Sequence, residues 1–201
     1  MADYATLINV KTRLQIKSID VADDNFLSLL ITRASAIIDS YTDNHFVKVS
    51  GTRKFDLPYK NPRRILLDDW LLVCTSVTNG NGVVIPATEY ITEDYNNPPY
   101  YSIELKNVSS YFFQPESANM NDRKCISVVG DWGWSATCPV DIAEACERLV
   151  VASYKSRDGV NMTGSTVITP AGVLQTPLTL TRDVIELIQP YQRTMLSVSY
   201  Q

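Results

Sequence analysis

The sequence predicts an α+β protein, a helical bundle interrupted by an antiparallel β subdomain. Apolar residues recur at helical spacing near both ends of the chain, whereas between them they alternate with polar residues at strand spacing. Turn-forming residues separate the alternating runs. We expect a single domain with a helical part at 1–45 and 136–201 and a β insertion at 46–135.

Two helices are predicted before the β insertion. The first, from Tyr4 to Leu14, is short and weakly amphipathic. The second is predicted to begin at a cap formed by Asp20, with Asp23 in the capping-box position. Its apolar face comprises Phe26, Leu29, Leu30, Ala34, Ile37, Ile38 and Tyr41. This spacing predicts a long helix that buries one face.

The β insertion is divided by recognisable turn residues. Asn79-Gly80-Asn81-Gly82 tolerates positive φ and predicts a hairpin. Asp68-Asp69-Trp70 separates two apolar runs and is predicted to form a turn. Residues 107–124 are expected to form an extended loop that carries the aromatic cluster Tyr111-Phe112-Phe113.

Gly130-Asp131-Trp132-Gly133-Trp134 follows the last predicted strand. We interpret it as a tight crossing, where the glycines permit close backbone approach and the tryptophans pack between the β part and the third helix. A platform on which a ligand stacks is the alternative interpretation.

The C-terminal third returns to helix. Pro139 suits the first turn of a long helix that Gly159 ends. Residues 158–179 combine glycine, proline, threonine and valine without helical spacing, which predicts an extended arm. A short helix from about Thr181 to Gln189 follows, and Pro190 ends it.

Composition excludes several classes of function. The 201 residues include 18 Lys and Arg against 22 Asp and Glu, for a net charge of −4. Tight binding of duplex DNA requires a basic surface, so we do not expect it. The N-terminus lacks the pattern of a signal peptide, and no apolar run approaches the length of a membrane span. We therefore expect a cytosol-like setting and no membrane partner.

Candidate chemical groups are few. The four cysteines have no paired spacing typical of a zinc site and are expected to be free thiols: Cys74, Cys125, Cys138 and Cys146. The single histidine, His45, lies at a predicted helix-to-strand junction. The adjacent acids Asp68-Asp69 and Glu93-Asp94 point to opposite faces of an extended chain and do not chelate a metal alone. We expect no enzymatic activity, no catalytic or metal-binding residue and no cofactor.

Three stretches in order carry a resemblance. They are LINVKTRLQIKSIDVADDNFLSLLITRASAIIDSYTDNHF, ISVVGDWGWSATCPVDIAEACERLVVASYKSR and DVIELIQPYQR. Together they resemble the head-to-tail connector (adaptor) family of tailed bacteriophages: an opening helix pair, a last strand with a glycine-aromatic turn and a helix, and a terminal helix with a Pro-Tyr-x-Arg-like ending. The β segment and the arm are longer than in compact members of that family.

The resemblance implies a structural protein of the virion, assembled in the host cytoplasm. Such adaptors form a homo-oligomeric ring, commonly of twelve subunits, below the portal protein, and tail-completion or tail terminator proteins bind below them. DNA passes through the ring only as cargo. Twelve copies at −4 each would carry about −48, which repels DNA from the wall of the channel.

By the same resemblance, the terminal helix and tail contact the portal. The residues concerned are Val184, Leu187, Ile188, Tyr191, Arg193, Met195, Leu196, Val198 and Tyr200.

Large aromatic side chains are enriched at protein interfaces. The candidates for contacts between subunits are Tyr111, Phe112, Phe113, Trp132 and Trp134.

Three other functions remain as alternatives. The first is another joining component of the virion, such as a tail-completion protein. The second is an enzyme, which would need convergent acids or a histidine beside a nucleophile. The third is a DNA-binding regulator, which would need a basic stripe that the sequence lacks.

Overall fold

The computed structural model describes residues 2–59, 61–116, 120–157, 168–169, 172–173 and 180–193. The chain forms two compact units. The helical unit comprises Met1–Asp43 and Cys138–Gln201, and the β unit comprises Asn44–Thr137. Helices and an antiparallel sheet are both present, so the predicted α+β class is confirmed.

The helical unit contains α1 (Leu7–Arg13), α2 (Asp24–Thr42), α3 (Val140–Arg157) and α4 (Arg182–Ile188), and α4 continues as a 3₁₀ turn at Gln189–Tyr191. The Thr6 hydroxyl caps α1 by accepting the N–H of Asn9 at 3.3 Å. The predicted cap of α2 is wrong. Asp20 lies outside the helix, where its carboxylate accepts the N–H of Ala22 at 3.2 Å.

The core of the helical unit is formed by apolar residues spaced three or four apart on α2, α3 and α4. The fully buried members are Leu27, Ala34, Ile38, Ile142, Ala145, Cys146, Val150 and Ile188. Leu29 was expected on the buried face of α2 but is 64% exposed. Helices α2 and α3 pack against each other, and α4 packs on α3.

A buried lysine fixes the connection between α1 and α2. The Lys11 side chain is only 5% exposed. Its Nζ donates to the backbone carbonyls of Ser18 (3.2 Å) and Asp20 (2.5 Å) and to the Asp24 carboxylate (2.7 Å). All three ammonium donors therefore have an acceptor, as burial of a charged group requires.

The β unit contains β1 (Val49–Phe55), β2 (Arg64–Thr78), β3 (Val84–Ile85), β4 (Tyr90–Glu93), β5 (Tyr100–Leu105) and β6 (Ile126–Trp132). They form one antiparallel sheet in the order β1-β6-β2-β5-β4, with β3 paired to β2. The buried face carries Phe55, Ile65, Leu67, Leu71, Val77, Ile85, Tyr90, Ile103, Leu105, Phe113, Ile126, Val128 and Trp132. Alternation along the strands produces this face.

The turn predicted at Asp68-Asp69-Trp70 is absent. These residues lie inside β2, where the pairing with β5 shifts register between Leu66 and Leu71. Asp69 is buried, and its carboxylate accepts the Arg53 guanidinium at 2.6 Å and the N–H of Trp70 at 2.7 Å. Because Arg53 of β1 and the neighbouring amide satisfy the acid, a β-bulge accommodates it without ending the strand.

The predicted hairpin at residues 79–82 is confirmed. Asn79 donates its N–H to the carbonyl of Val83 at 2.8 Å, and Gly82 has a φ of +82°. This turn joins β2 to β3. The predicted arm, 158–179, lies outside the described residues except for β7 (Ile168–Thr169) and β8 (Gly172–Val173), which pair antiparallel.

Candidate assembly surfaces

The C-terminal helix packs into its own unit. Val184 and Ile188 are 1% and 0% exposed, whereas Leu187 is half-buried. Val184 and Ile188 therefore form part of the core. Of the three portal-binding candidates on α4, Leu187 is the one with accessible surface among the described residues. Met195, Leu196, Val198 and Tyr200 lie outside the described residues.

The segment just after α4 has partners in the helical unit. The Tyr191 hydroxyl donates to the Asp141 carboxylate at 3.0 Å, and Arg193 donates its N–H to the carbonyl of Thr42 at 2.9 Å. Burial and the bond to Asp141 raise the pKa of Tyr191. Tyr191 and Arg193 are thus held in place by the helical unit.

A chain of ion pairs links α1, α3 and α4. Arg148 donates to Glu144 at 2.8 Å and to Asp183 at 2.9 Å, and Arg13 pairs with both Glu144 and Glu147. Arg148 and then Arg13 lower the pKa of Glu144. These charges position α4 against α3. The Glu144–Arg148 pair has the i,i+4 spacing that a helix sequence shows, whereas Arg13 and Asp183 lie far from it along the chain.

The aromatic loop is fixed by an arginine. Arg63 donates to the carbonyls of Lys106 (2.7 Å) and Ser109 (3.2 Å), and its guanidinium lies 4.2 Å from the ring centre of Phe112. Phe112 remains 44% exposed, whereas Phe113 is buried in the sheet core. Of the candidate interface residues in this loop, Phe112 presents the most surface and Tyr111 is half-buried.

The glycines of the predicted crossing do permit a close approach. A Cβ on Gly130 would lie 2.2 Å from the carbonyl oxygen of Val73, and Gly133 has a φ of +133°. Trp132 is 3% exposed and lies 5.9 Å from Phe55, ring centre to ring centre.

Trp134 lies in the same unit as Trp132. It meets Trp70 edge-on at 5.5 Å between ring centres and is half-buried. Trp132 therefore has little surface left for another subunit, whereas Trp134 retains some.

Three of the four acids that the sequence singled out are held by arginines. Arg53 binds both Asp68 (3.2 Å) and Asp69 (2.6 Å), and His45 Nδ1 lies 3.6 Å from the Asp69 carboxylate. Glu93 pairs with Arg64. Within the described ranges, no three His, Cys, Asp or Glu side chains come together closely enough to hold a metal ion.

The thiols have raised pKa values. Burial raises the pKa of Cys138 to about 12 and that of Cys146 to about 11, and it also raises the pKa values of Cys74 and Cys125. A thiol is nucleophilic as the thiolate, so these four are weak nucleophiles near neutral pH.

Among the described residues, none of the helices combines the length and hydropathy that crossing a bilayer requires.

No family model and no curated protein matches this sequence. Solved structures that share this fold include chains of gene transfer agent (GTA) particles. A chain from the neck of the empty GTA particle, computed with C6 symmetry, is 16% identical with a TM-score of 0.57, over 96% of this chain and 93% of that one. A chain from the neck of the native GTA particle, computed with C12 symmetry, is also 16% identical, with a TM-score of 0.53 over 94% of this chain and 88% of that one.

A third match, from the virion of the native GTA particle, is also 16% identical, with a TM-score of 0.56 over 95% of this chain and 90% of that one. The likeness extends over nearly the whole of both chains in all three cases. This chain therefore has the fold of proteins found in GTA particles, and two of the three matches are neck structures.

Proposed function

We propose that this chain is a head-to-tail connector, an adaptor that forms a ring below the portal of a long-tailed phage or phage-like particle. The observation that carries the proposal is the fold shared along nearly the full length with chains of GTA necks. A match over 96% of the chain leaves no large part of this protein without a counterpart in the neck protein.

The symmetry of those necks supports a ring. They are described with C6 and C12 symmetry, and a ring of identical chains requires two different complementary surfaces on each chain. We propose a dodecamer whose neighbours are the portal above and a tail-completion or tail terminator protein below. The protein would act at the head-tail interface of the virion after assembly in the host cytoplasm.

Electrostatics favour a channel that lets DNA through. The net charge of −4 gives twelve copies about −48, and a negative wall repels phosphate. This balance supports passage of DNA during ejection better than capture of DNA.

A structural role without catalysis also agrees with the side chains. Of the acids flagged in the sequence, Asp68 and Asp69 are held by Arg53 and Glu93 by Arg64, and the thiols have raised pKa values. We propose that the protein works through its surfaces and is not an enzyme.

Deleting the gene from the particle-producing strain tests the proposed role. An adaptor's loss should leave filled heads that leak DNA and separate, complete tails, and supplying the gene on a plasmid should restore joined particles. Heads joined normally to defective tails would overturn the adaptor role and indicate a tail-completion protein. Normal particles would exclude any essential neck role.

A further inference from the structure

Strand β1 leaves one whole edge of the sheet open. It ends the strand order, and no strand of the described chain pairs with its second side. Its seven residues pair with β6 without a register shift, and Val49 to Thr52 are exposed and uncharged. Proteins usually interrupt such an edge with a bulge, a proline or an outward charge, because a regular open edge pairs with other chains.

The two bases near the ends of β1 are directed onto their own sheet. Lys48 pairs with Asp131 at 2.9 Å. Arg53 pairs with Asp69 at 2.6 Å, and its guanidinium lies 4.7 Å from the ring centre of Trp132. Because these charges are engaged by the sheet, they give the edge little of the protection that a free lysine or arginine provides. Lys54, the sixth of the seven residues of β1, is exposed and has no ion pair in the described chain, so it protects only one end of this edge.

Gly51 in the middle of β1 has no contact among the described residues that requires a glycine. Glycine weakens a strand interior, and it is retained where another backbone approaches closely. Its partner across the ladder, Gly130, is required by the carbonyl of Val73, whereas a Cβ on Gly51 would meet nothing within 4 Å. Gly51 does not adopt a positive φ either, so within the described residues neither its backbone conformation nor a close neighbour accounts for it, and an approaching strand of another copy would.

We infer that β1 of one copy pairs with β4 of a second copy, which continues the sheet from subunit to subunit. Strand β4 is the opposite edge of the same sheet, and its second side is also unpaired in the described chain. Acids flank β4, with Glu89 before it and Asp94 after it, whereas the exposed charge on β1 is Lys54. Glu93, the last residue of β4, already pairs with Arg64. This complementarity favours β4 of another copy over a second β1.

The pairing is head-to-tail, because two different edges of each copy are used. Contacts of this kind close into rings, whereas β1 paired with β1 would stop at a dimer. The inference rests on the proposed ring and assigns its subunit contact to two named strands. Peptides that add a strand to an open edge bind through the same main-chain hydrogen bonds.

Hydrogen–deuterium exchange of the purified full-length protein tests this contact. Fractions of assembled rings and of dilute monomer are compared. The inference predicts that amides in both 49–55 and 90–93 exchange at least about tenfold more slowly in the ring, since new backbone hydrogen bonds protect them. Rings without added protection in either strand would overturn the inference and leave the ring intact. Dimers protected in β1 alone would overturn the choice of β4.

A substitution at Gly51 gives an independent test. Gly51→Glu places bulk and a negative charge on β1, the strand that would lie beside β4 and its flanking acids Glu89 and Asp94, in a position with open space in the monomer. We expect an unchanged or higher melting temperature and loss of rings in sedimentation velocity. Thr75→Glu, an exposed position on the central strand β2, is the matched control and should keep its rings. Rings in Gly51→Glu would contradict the contact, and absence of rings in the unmodified protein would contradict the proposed function itself.

Discussion

Lys11 is the clearest single-residue determinant in the helical unit. Replacing it with methionine keeps the volume but leaves the Asp24 carboxylate and two carbonyls without the ammonium. Removing one partner of a buried ion pair costs about 3–5 kcal/mol, and Asp24 is 26% exposed, so we expect about 3 kcal/mol. Urea unfolding of Lys11→Met measures this loss. Lys17→Met, at an exposed position, should change the unfolding free energy by less than about 0.5 kcal/mol.

The ion pairs around Arg148 should make stability depend on acid pH. Arg148 and then Arg13 lower the pKa of Glu144 from its ordinary 4.5, and the Thr181 hydroxyl and then Arg148 lower that of Asp183 from 3.8. A folded pKa below the unfolded value contributes stability above the unfolded pKa and loses it as the pH falls through the folded pKa.

Unfolding free energy should therefore fall as the pH is lowered below about 4.5. Both carboxylates are partly exposed, so each pair contributes no more than about 0.5–1 kcal/mol. Arg148→Met should reduce this acid dependence, which denaturant titrations between pH 6 and 3 would measure. An identical pH profile in the variant would show that these pairs contribute nothing to stability.

At the scale of elements, α4 has one face in the core and another that is accessible to solvent. Ile188 is fully buried, so Ile188→Ala should destabilise the protein by about 2–4 kcal/mol. Leu187 is half-buried, and Leu187→Ala should cost less than about 1.5 kcal/mol. Thermal denaturation distinguishes the two. Equal losses of stability would contradict an orientation of α4 that buries Ile188 and exposes part of Leu187. Because Leu187→Ala should leave the fold intact, it is the variant suited to testing portal binding.

Gly51 and Gly130 face each other across β1 and β6 but differ in what surrounds them. A Cβ at Gly130 would lie 2.2 Å from a backbone oxygen, so Gly130→Ala should destabilise the protein by about 2 kcal/mol or more. Gly51→Ala has open space and should stabilise the monomer by about 0.5–1 kcal/mol. Denaturant unfolding of the two variants at monomeric concentration measures both. Destabilisation by Gly51→Ala would show that its own chain requires this glycine.

Local sequence signals determined which elements could be predicted. The regular spacing in α2 and α3 and the turn residues at 79–82 act over short distances, so they were recognisable without the fold. The predicted turn at 68–70 was wrong because Arg53, on another strand, satisfies Asp69. A partner 16 residues away in sequence leaves no local pattern.

At the scale of the whole molecule, the sheet order could not be read from the sequence. Strand β6 lies between β1 and β2, although more than forty residues separate it from β2 along the chain.

The candidate site was predictable only in part. Resemblance pointed to the C-terminal segment, whereas the open edge of β1 became visible only when the neighbours of every strand were known.

The central claim is that identical copies of this chain close into a ring. Electron microscopy of the concentrated full-length protein in negative stain, alone and mixed with the portal protein, tests it most directly. We predict rings of uniform diameter with a central hole, stacked coaxially on the portal in the mixture. A strictly monomeric protein in both samples would contradict the claim.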